Sequence, residues 1–138
     1  MITEKNILVI DRLDHSRGSA AEVLRRRGFH VVEEGGYQLP ADGPPDLVLL
    51  GCVSISGAEV DFVHALVSKN MPVLVTASRY GLMESRELFR LGAVDVVPRP
   101  NQPDQLEDLV AETLSDLART GTVETQNLGT DPVPIAVG

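Results

Sequence analysis

Residues 46–50 of the chain are Asp46-Leu47-Val48-Leu49-Leu50, an acidic residue followed by four consecutive apolar residues. Similar runs precede and follow it, Asn6-Ile7-Leu8-Val9-Ile10 and Pro72-Val73-Leu74-Val75-Thr76. An apolar run without alternating polarity is typical of a strand covered on both faces, as in a parallel sheet. We therefore predict three buried central strands at these positions.

Two further apolar runs predict strands, Phe29-His30-Val31-Val32-Glu33 and Val94-Asp95-Val96-Val97. Most segments between the five runs have apolar residues at three- and four-residue steps, which predicts helices. The first helix is expected from about Ser16 to Arg27. The apolar stripes are Ala20, Val23 and Leu24; Val60, Val63 and Val67; Leu82, Ser85, Leu88 and Phe89; and Leu106, Leu109, Val110, Thr113, Leu114 and Leu117.

The segment between the second and third predicted strands is different. Residues 34–45 contain three glycines and three prolines and no helical stripe, so we predict a loop or a single turn there. The whole pattern predicts an α/β fold of the flavodoxin-like, doubly wound type. Its five-stranded parallel sheet has the order 2-1-3-4-5, and helix 2 is short or missing. Residues 1–119 form this domain, and residues 120–138 form a linker or tail towards a further output domain.

The composition excludes several classes of function. The chain has 138 residues and a net charge of −8, which disfavours direct binding of nucleic acid. It has neither a signal-peptide pattern nor an apolar run long enough for a membrane span, so we expect a cytoplasmic protein. Cys52 is its single cysteine, which excludes an internal disulfide. We expect a buried thiol there, with redox sensing as the alternative, and structural or surface roles for His15, His30 and His64.

The sequence resembles the receiver domain of two-component response regulators over roughly residues 5–118. The similarity lies in a series of short segments in the family's order. These segments are Lys5-Asn6-Ile7-Leu8-Val9-Ile10-Asp11, Leu24-Arg25-Arg26-Arg27-Gly28-Phe29, Pro45-Asp46-Leu47-Val48-Leu49-Leu50, Met71-Pro72-Val73-Leu74-Val75-Thr76-Ala77, Leu91-Gly92-Ala93-Val94-Asp95 and Pro98-Arg99-Pro100.

The resemblance implies a phosphorylation pocket that has lost most of its chemistry. Two acids bind magnesium in the family, and here Asp11 matches the first acid position and Arg12 the second. The phosphoacceptor aspartate is replaced by Gly51, and the lysine by Arg99. The hydroxyl position falls on Ala77, or on Thr76 if the alignment slips by one residue. We therefore expect no phosphorylation, no magnesium or other cofactor, and no enzymatic activity.

Two interactions are proposed from the same resemblance. Asp11 and Arg99 map to one pocket rim, so we predict that they form an ion pair. The face made by helix 4, strand 5 and helix 5 is the family's usual surface for partners and for dimers. In this chain the candidate residues of that face are Arg79, Arg86, Arg90, Val96, Asp104 and Asp108.

Three functions remain open at this point. The leading one is a phosphorylation-independent regulatory and protein-interaction module of a larger regulator. The second is an atypical receiver domain of a pilus-assembly positioning ATPase, suggested by Gly92-Ala93-Val94-Asp95-Val96-Val97-Pro98-Arg99-Pro100. The third is a small-molecule-binding domain of flavodoxin-like fold, which a ligand near Asp11 and Gly51 would support.

Overall fold

The structure is a computed structural model that describes residues 5–100 and 102–127, without the side chains of residues 103 and 120–127. Strands and helices alternate along the chain except between the second and third strands. The elements are β1 (Asn6–Asp11), α1 (Asp14–Arg27), β2 (His30–Glu34), β3 (Leu47–Ser54), α2 (Gly57–Ser68), β4 (Val73–Arg79), α3 (Leu82–Leu91), β5 (Asp95–Pro98) and α4 (Pro103–Asn127).

The five strands form one parallel sheet in the order β2-β1-β3-β4-β5, which confirms the predicted architecture. No helix lies between β2 and β3, so the predicted absence of helix 2 is also confirmed. The family's helix 4 and helix 5 consequently correspond to α3 and α4 of this chain. The strand order reverses between β1 and β3, whose carboxyl ends lie side by side.

Two hydrophobic clusters cover the two faces of the sheet, as a doubly wound fold requires. The first contains buried residues of α2 and α3, and the second contains buried residues of α1 and α4. Alternate residues of the central strands belong to opposite clusters, which explains why their sequences are continuously apolar. In β3, for example, Val48 and Leu50 pack in the first cluster, and Leu47 and Leu49 in the second.

Helix ends follow local sequence signals. The residues after α1 and α3 are Gly28 and Gly92, with φ of 107° and 113°, and their N–H groups bond back to carbonyls in the last turn. A left-handed backbone of this kind favours glycine, because a Cβ would be strained there. These two glycines end the helices at the positions expected from the sequence.

The predicted ends of the third and fourth strands were wrong, because pairing between them extends both strands. β3 continues through Cys52, Val53 and Ser54, and β4 continues to Arg79, because the register joins Ser54 to Arg79. Position 51 therefore lies inside β3 rather than at its end. α4 continues to Asn127, so the predicted start of the tail at residue 120 falls within this helix. Residues 128–138 of the predicted tail lie outside the described residues.

The predicted apolar stripe of α3 was half wrong. Ser85 and Leu88 are buried, but Leu82 is 72% exposed and Phe89 is 48% exposed. A short amphipathic helix at one end of the sheet covers little area, so only part of its apolar pattern reaches the core.

Among the residues that the structure describes, no helix has both the length and the hydropathy that crossing a membrane requires.

Candidate functional site

The candidate site lies towards the carboxyl edge of the sheet, where residues of four strands meet. Asp11, the last residue of β1, is paired with Gly51 of β3, and Gly51 is paired with Thr76 of β4. Arg99 follows β5 directly, and its backbone N–H donates to the Ala77 carbonyl at 2.9 Å. Four strands therefore bring the predicted site residues to one edge of the sheet, at the topological switch point between β1 and β3.

Asp11 and Arg99 form the ion pair that the sequence predicted. Arg99 Nη1 lies 3.1 Å from Asp11 Oδ2, and Asp11 is 4% exposed. The Ser16 hydroxyl donates to the same oxygen at 2.9 Å, and the Leu13 N–H donates to Oδ1 at 2.9 Å. Both carboxylate oxygens of Asp11 are thus satisfied within the protein.

The guanidinium of Arg99 connects most of the elements around the site. Nη2 donates to the Cys52 carbonyl of β3 at 2.8 Å, and Nε donates to the Ser78 hydroxyl of β4 at 3.1 Å. Nη1 also donates to the Ser16 hydroxyl of α1. A planar guanidinium suits this role, because its donors point in several fixed directions where an ammonium offers one compact charge.

Gly51 leaves the space that the Asp11 carboxylate occupies. A Cβ built on Gly51 would lie 2.5 Å from Asp11 Oδ2 and 3.2 Å from its Cγ. Contacts that short force one of the two groups to move. A side chain at position 51 would therefore displace the Asp11 carboxylate from its observed position beside Arg99.

The hydroxyl at the site belongs to Thr76. A Cβ on Gly51 would lie 3.5 Å from Thr76 Oγ1, whereas Ala77 packs in the hydrophobic cluster on the other face of the sheet. Successive side chains of a strand point to opposite faces, so only one of the two neighbours can face the site. The placement on Ala77 is therefore corrected to the one-residue slip, Thr76.

Arg12 does not enter this network. Its guanidinium carbon lies 4.0 Å from the centroid of the Tyr37 ring, and the other contacts of that ring form a second polar cluster. Tyr37 is stacked on Phe62 of α2, with ring centroids 4.9 Å apart, and its hydroxyl donates to Glu59 Oε2 at 2.6 Å. Glu59 also accepts from the backbone N–H of Ser56 at 2.7 Å.

Sequence reasoning missed this second cluster. Burial alone would raise the pKa of Glu59, but hydrogen bonds from Ser56 and Tyr37 hold the pKa below its ordinary value. Burial and the neighbouring Glu59 raise the pKa of Tyr37 far above its ordinary range. The signal available was Ser56-x-x-Glu59, the pattern of a capping box at a helix start. Nothing local indicated that Tyr37 would contact Glu59.

Cys52 is a buried thiol beside the site. Its Sγ lies 3.6 Å from the Thr76 carbonyl, and burial raises the pKa of the thiol to about 11. At neutral pH the thiolate, which is the reactive form, is therefore scarce. This geometry supports the buried-thiol interpretation over redox sensing. His15, His30 and His64 are exposed on separate elements.

One of the predicted interaction residues is buried. Val96 is 8% exposed and packs in the first hydrophobic cluster, so it is unavailable for contact with a partner. Arg79 is the last residue of β4, and Asp108 of α4 lies 3.8 Å from Arg27 of α1. Asp104 and Arg86 are exposed.

The exposed surface of α3 combines arginines with apolar side chains that the prediction did not include. Arg90 pairs with Glu87 within the helix, and Leu82 and Met83 are 72% and 71% exposed. We call the exposed residues of this helix the α3 surface. They are Leu82, Met83, Glu84, Arg86, Phe89 and Arg90.

No group of three or more His, Cys, Asp or Glu side chains in the described part of the chain could hold a metal ion. At the candidate site, Asp11 is the one carboxylate among the residues matched to the family's pocket. The site is therefore a network of hydrogen bonds around one internal ion pair.

No protein-family model matches the sequence, and no curated protein matches it significantly. Solved structures do match. A response regulator from Thermotoga maritima superimposes with a TM-score of 0.71 at 17% identity, covering 82% of this chain and 99% of that chain. The receiver domain of a LuxO repressor protein from Vibrio parahaemolyticus gives a TM-score of 0.72 at 13% identity, covering 88% and 98%. NtrX from Brucella abortus gives 0.69 at 16% identity, covering 91% of this chain and 30% of that chain.

These similarities define the class of structure. The chain has the fold of a response-regulator receiver domain, with one helix of the usual set absent between β2 and β3. At 13–17% identity the likeness is one of fold, so the chemistry of the site has to be argued from this chain's own residues.

Proposed function

We propose that this chain is a degenerate receiver domain that acts as a regulatory, protein-interacting module of a larger regulator without being phosphorylated. The observation that carries the proposal is the geometry at Gly51. Gly51, the residue matched to the acceptor aspartate, has no side chain, and the Asp11 carboxylate occupies the space where a side chain at position 51 would begin. Phosphoryl transfer in the family uses a carboxylate of the acceptor residue, which Gly51 lacks, and the Asp11 carboxylate nearby is held by Leu13, Ser16 and Arg99.

The metal that supports phosphoryl transfer also lacks its ligands. Magnesium prefers near-octahedral oxygen coordination and usually binds through carboxylates together with waters and phosphate oxygens. Asp11 already accepts hydrogen bonds from Leu13 and Ser16 and pairs with Arg99. Binding a cation would require Asp11 to give up the ion pair that holds Arg99.

The network around Arg99 supports a single stable arrangement of the site. Arg99 contacts α1, β3 and β4 at once, and in ordinary receivers these elements surround the phosphoryl group. Regulation then depends on a partner that binds one conformation better than another, because a ligand shifts an equilibrium only by its differential affinity. The α3 surface is the proposed contact for such a partner or for a second copy.

The first test is incubation of the full chain with acetyl phosphate and magnesium, followed by intact-mass measurement. We expect no phosphoryl adduct, while a receiver of the same fold that retains its aspartate becomes modified in parallel. A phosphoryl adduct on the unaltered chain that hydroxylamine removes, as expected of an acyl phosphate, would contradict the proposal.

A variant series tests the reason for inactivity. The single substitution Gly51→Asp supplies a carboxylate but leaves Arg12 at the second acid position, so we expect little or no modification. The triple variant Arg12→Asp, Gly51→Asp, Arg99→Lys restores all the matched groups and is expected to gain the adduct. Modification of the single variant at the rate of the triple variant would show that Arg12 and Arg99 do not block the chemistry.

A further inference from the structure

A half-open cavity of about 300 Å³ lies between α1 and α4, directly beside the Asp11–Arg99 pair. Its walls are apolar, and they come from the sheet and from both helices. They are formed by Val9, Ala20, Val23, Leu49 and Leu106. The cavity belongs to the second hydrophobic cluster and is separate from the cluster around Tyr37.

The position of the cavity is the one where doubly wound sheets bind ligands. It opens at the carboxyl ends of β1 and β3, where the strand order reverses. Gly51 lines it and contributes no side chain. An apolar cavity with a few polar groups at such a point has the general form of a small-molecule site.

Thr76 adds a hydroxyl group to the wall of the cavity. It lines the cavity and is 4% exposed, and its Oγ1 lies 3.5 Å from the position of a Cβ built on Gly51. Pockets that bind small molecules usually combine apolar walls with a few such polar groups. Thr76 can both donate to and accept from a group placed in the cavity.

The charges around the cavity indicate an uncharged ligand. Asp11 and Arg99 neutralise each other at the end of the cavity nearest the carboxyl edge of the sheet. Ser16, Ser19 and Gln102, which also line the cavity, carry no charge, and the remaining ionisable group of the lining is the exposed His15. An ionic ligand would have to displace the ion pair or remain desolvated and unpaired, and both are costly.

We propose that this cavity binds a small, uncharged and mainly apolar molecule with a hydroxyl or carbonyl group that hydrogen-bonds to Thr76. An apolar cavity of about 150 Å³ holds benzene, so roughly twice that volume suits a bicyclic molecule. This inference goes beyond the proposed function. Binding there does not depend on whether position 51 accepts a phosphoryl group, so each idea can fail without the other.

The test is titration of the full chain with 2-naphthol, followed by NMR of the Val and Leu methyl groups. We expect saturable shifts at Val9, Val23, Leu49 and Leu106, with a dissociation constant of about 1 mM or lower for a ligand of this size. The anion 2-naphthalenesulfonate is expected to bind at least about tenfold more weakly, because Arg99 is already paired.

Three variants and one control locate the site. Ala20→Leu fills the cavity, and Ser19→Phe covers its mouth from an exposed position, so both are expected to abolish the shifts. Thr76→Val removes the hydroxyl at nearly constant volume and is expected to weaken 2-naphthol binding about two- to tenfold. Ala58→Leu makes the matched substitution at an exposed position of α2 and leaves binding unchanged.

Several outcomes would overturn the proposal. They are the absence of saturable shifts in the unaltered chain, shifts that persist in both Ala20→Leu and Ser19→Phe, and equal binding of the naphthol and the sulfonate. Since Ser19 is exposed, its replacement keeps the test informative even if Ala20→Leu impairs folding.

Discussion

Because Gly51 has no side chain, the Asp11 carboxylate can lie beside it. Asp11 points into the volume that a Cβ at Gly51 would occupy, and this placement brings Oδ2 to 3.1 Å from Arg99. The two positions are directly paired in the sheet, so neither backbone can move away alone. The space left by Gly51 is therefore what the observed position of the Asp11 carboxylate uses.

Restoring even one methyl group at position 51 is expected to disturb the pair. We predict that Gly51→Ala lowers the free energy of unfolding by about 1–3 kcal/mol, the usual cost of overpacking a buried site. Equilibrium urea denaturation measures the change.

Gly18→Ala is the matched control, because a Cβ at this position of α1 meets no atom within 4 Å. Alanine favours the helix, so the control is expected to be neutral or to gain up to about 1 kcal/mol. If Gly51→Ala proved as stable as the unaltered chain, Asp11 would not depend on the space left by the glycine.

Among the elements, the loop between β2 and β3 packs against α2 and covers part of the sheet where a helix is absent. Tyr37 of this loop stacks on Phe62 of α2 and packs against the first hydrophobic cluster. Its hydroxyl binds Glu59, which also accepts from the backbone at the start of α2. One aromatic side chain thus fixes the loop to the helix beside the candidate site.

The attachment of this loop should depend on pH. The pKa of Glu59 is lowered in the folded protein, so its ionised form stabilises the fold at neutral pH. That contribution is lost as the pH falls from the ordinary glutamate value of about 4.3 through the lower folded value. We predict that Glu59→Gln flattens this part of the stability profile, measured by denaturation at a series of acidic pH values.

Tyr37→Phe gives the matched test of the hydrogen bond itself. It keeps the stacked ring and removes only the hydroxyl, so we expect a loss of about 1–2 kcal/mol at neutral pH. The acid dependence should decrease in this variant as well. An unchanged acid profile in both variants would show that Glu59 does not support the loop.

For the whole molecule, the distribution of charge suggests how copies could associate. The net charge is −8, yet the α3 surface has two arginines next to exposed Leu82, Met83 and Phe89. α4 has the exposed acids Asp104, Asp108, Glu112 and Asp116. Arg90 already pairs with Glu87, and Glu84 is a further exposed acid of α3, so the acids of a second copy would pair chiefly with Arg86.

We predict a weak, reversible dimer whose dissociation constant rises with salt, because screening weakens contacts between exposed charges. Arg86→Glu on the α3 surface should weaken it strongly. Arg26→Glu makes the same change of charge at an exposed position of α1 and should have little effect. Sedimentation velocity over a range of protein and salt concentrations measures both, and a monomer throughout would exclude this use of the surface.

Much of the fold could be predicted because its signals are local. The continuous apolar runs indicated strands buried on both faces, and the glycines and prolines of residues 34–45 indicated the missing helix. Arg99 and Asp11 could be assigned to one site because both follow strands that end at the same edge. These inferences required only chain order and the parallel arrangement of the sheet.

The remaining features depend on contacts between residues distant in the sequence. Spacing alone did not show whether Thr76 or Ala77 faces the site, because the face of each side chain is set by pairing with β3. Val96 was assigned to the interaction face from its position in the fifth strand, but it packs in the hydrophobic cluster formed with α2 and α3 and is buried. Tyr37 and Glu59 are 22 residues apart, and only the folded loop brings them into contact.

Residue types and their periodicity were thus sufficient for the five strands and the missing helix, while the strand order came from the resemblance to known doubly wound folds. Folding in three dimensions determined which groups took the vacated space, which apolar residues stayed exposed and where a cavity remained. The physical reason is that backbone preferences and hydrophobic patterns act over a few neighbouring residues, whereas close packing and hydrogen bonding depend on every element that meets at a site.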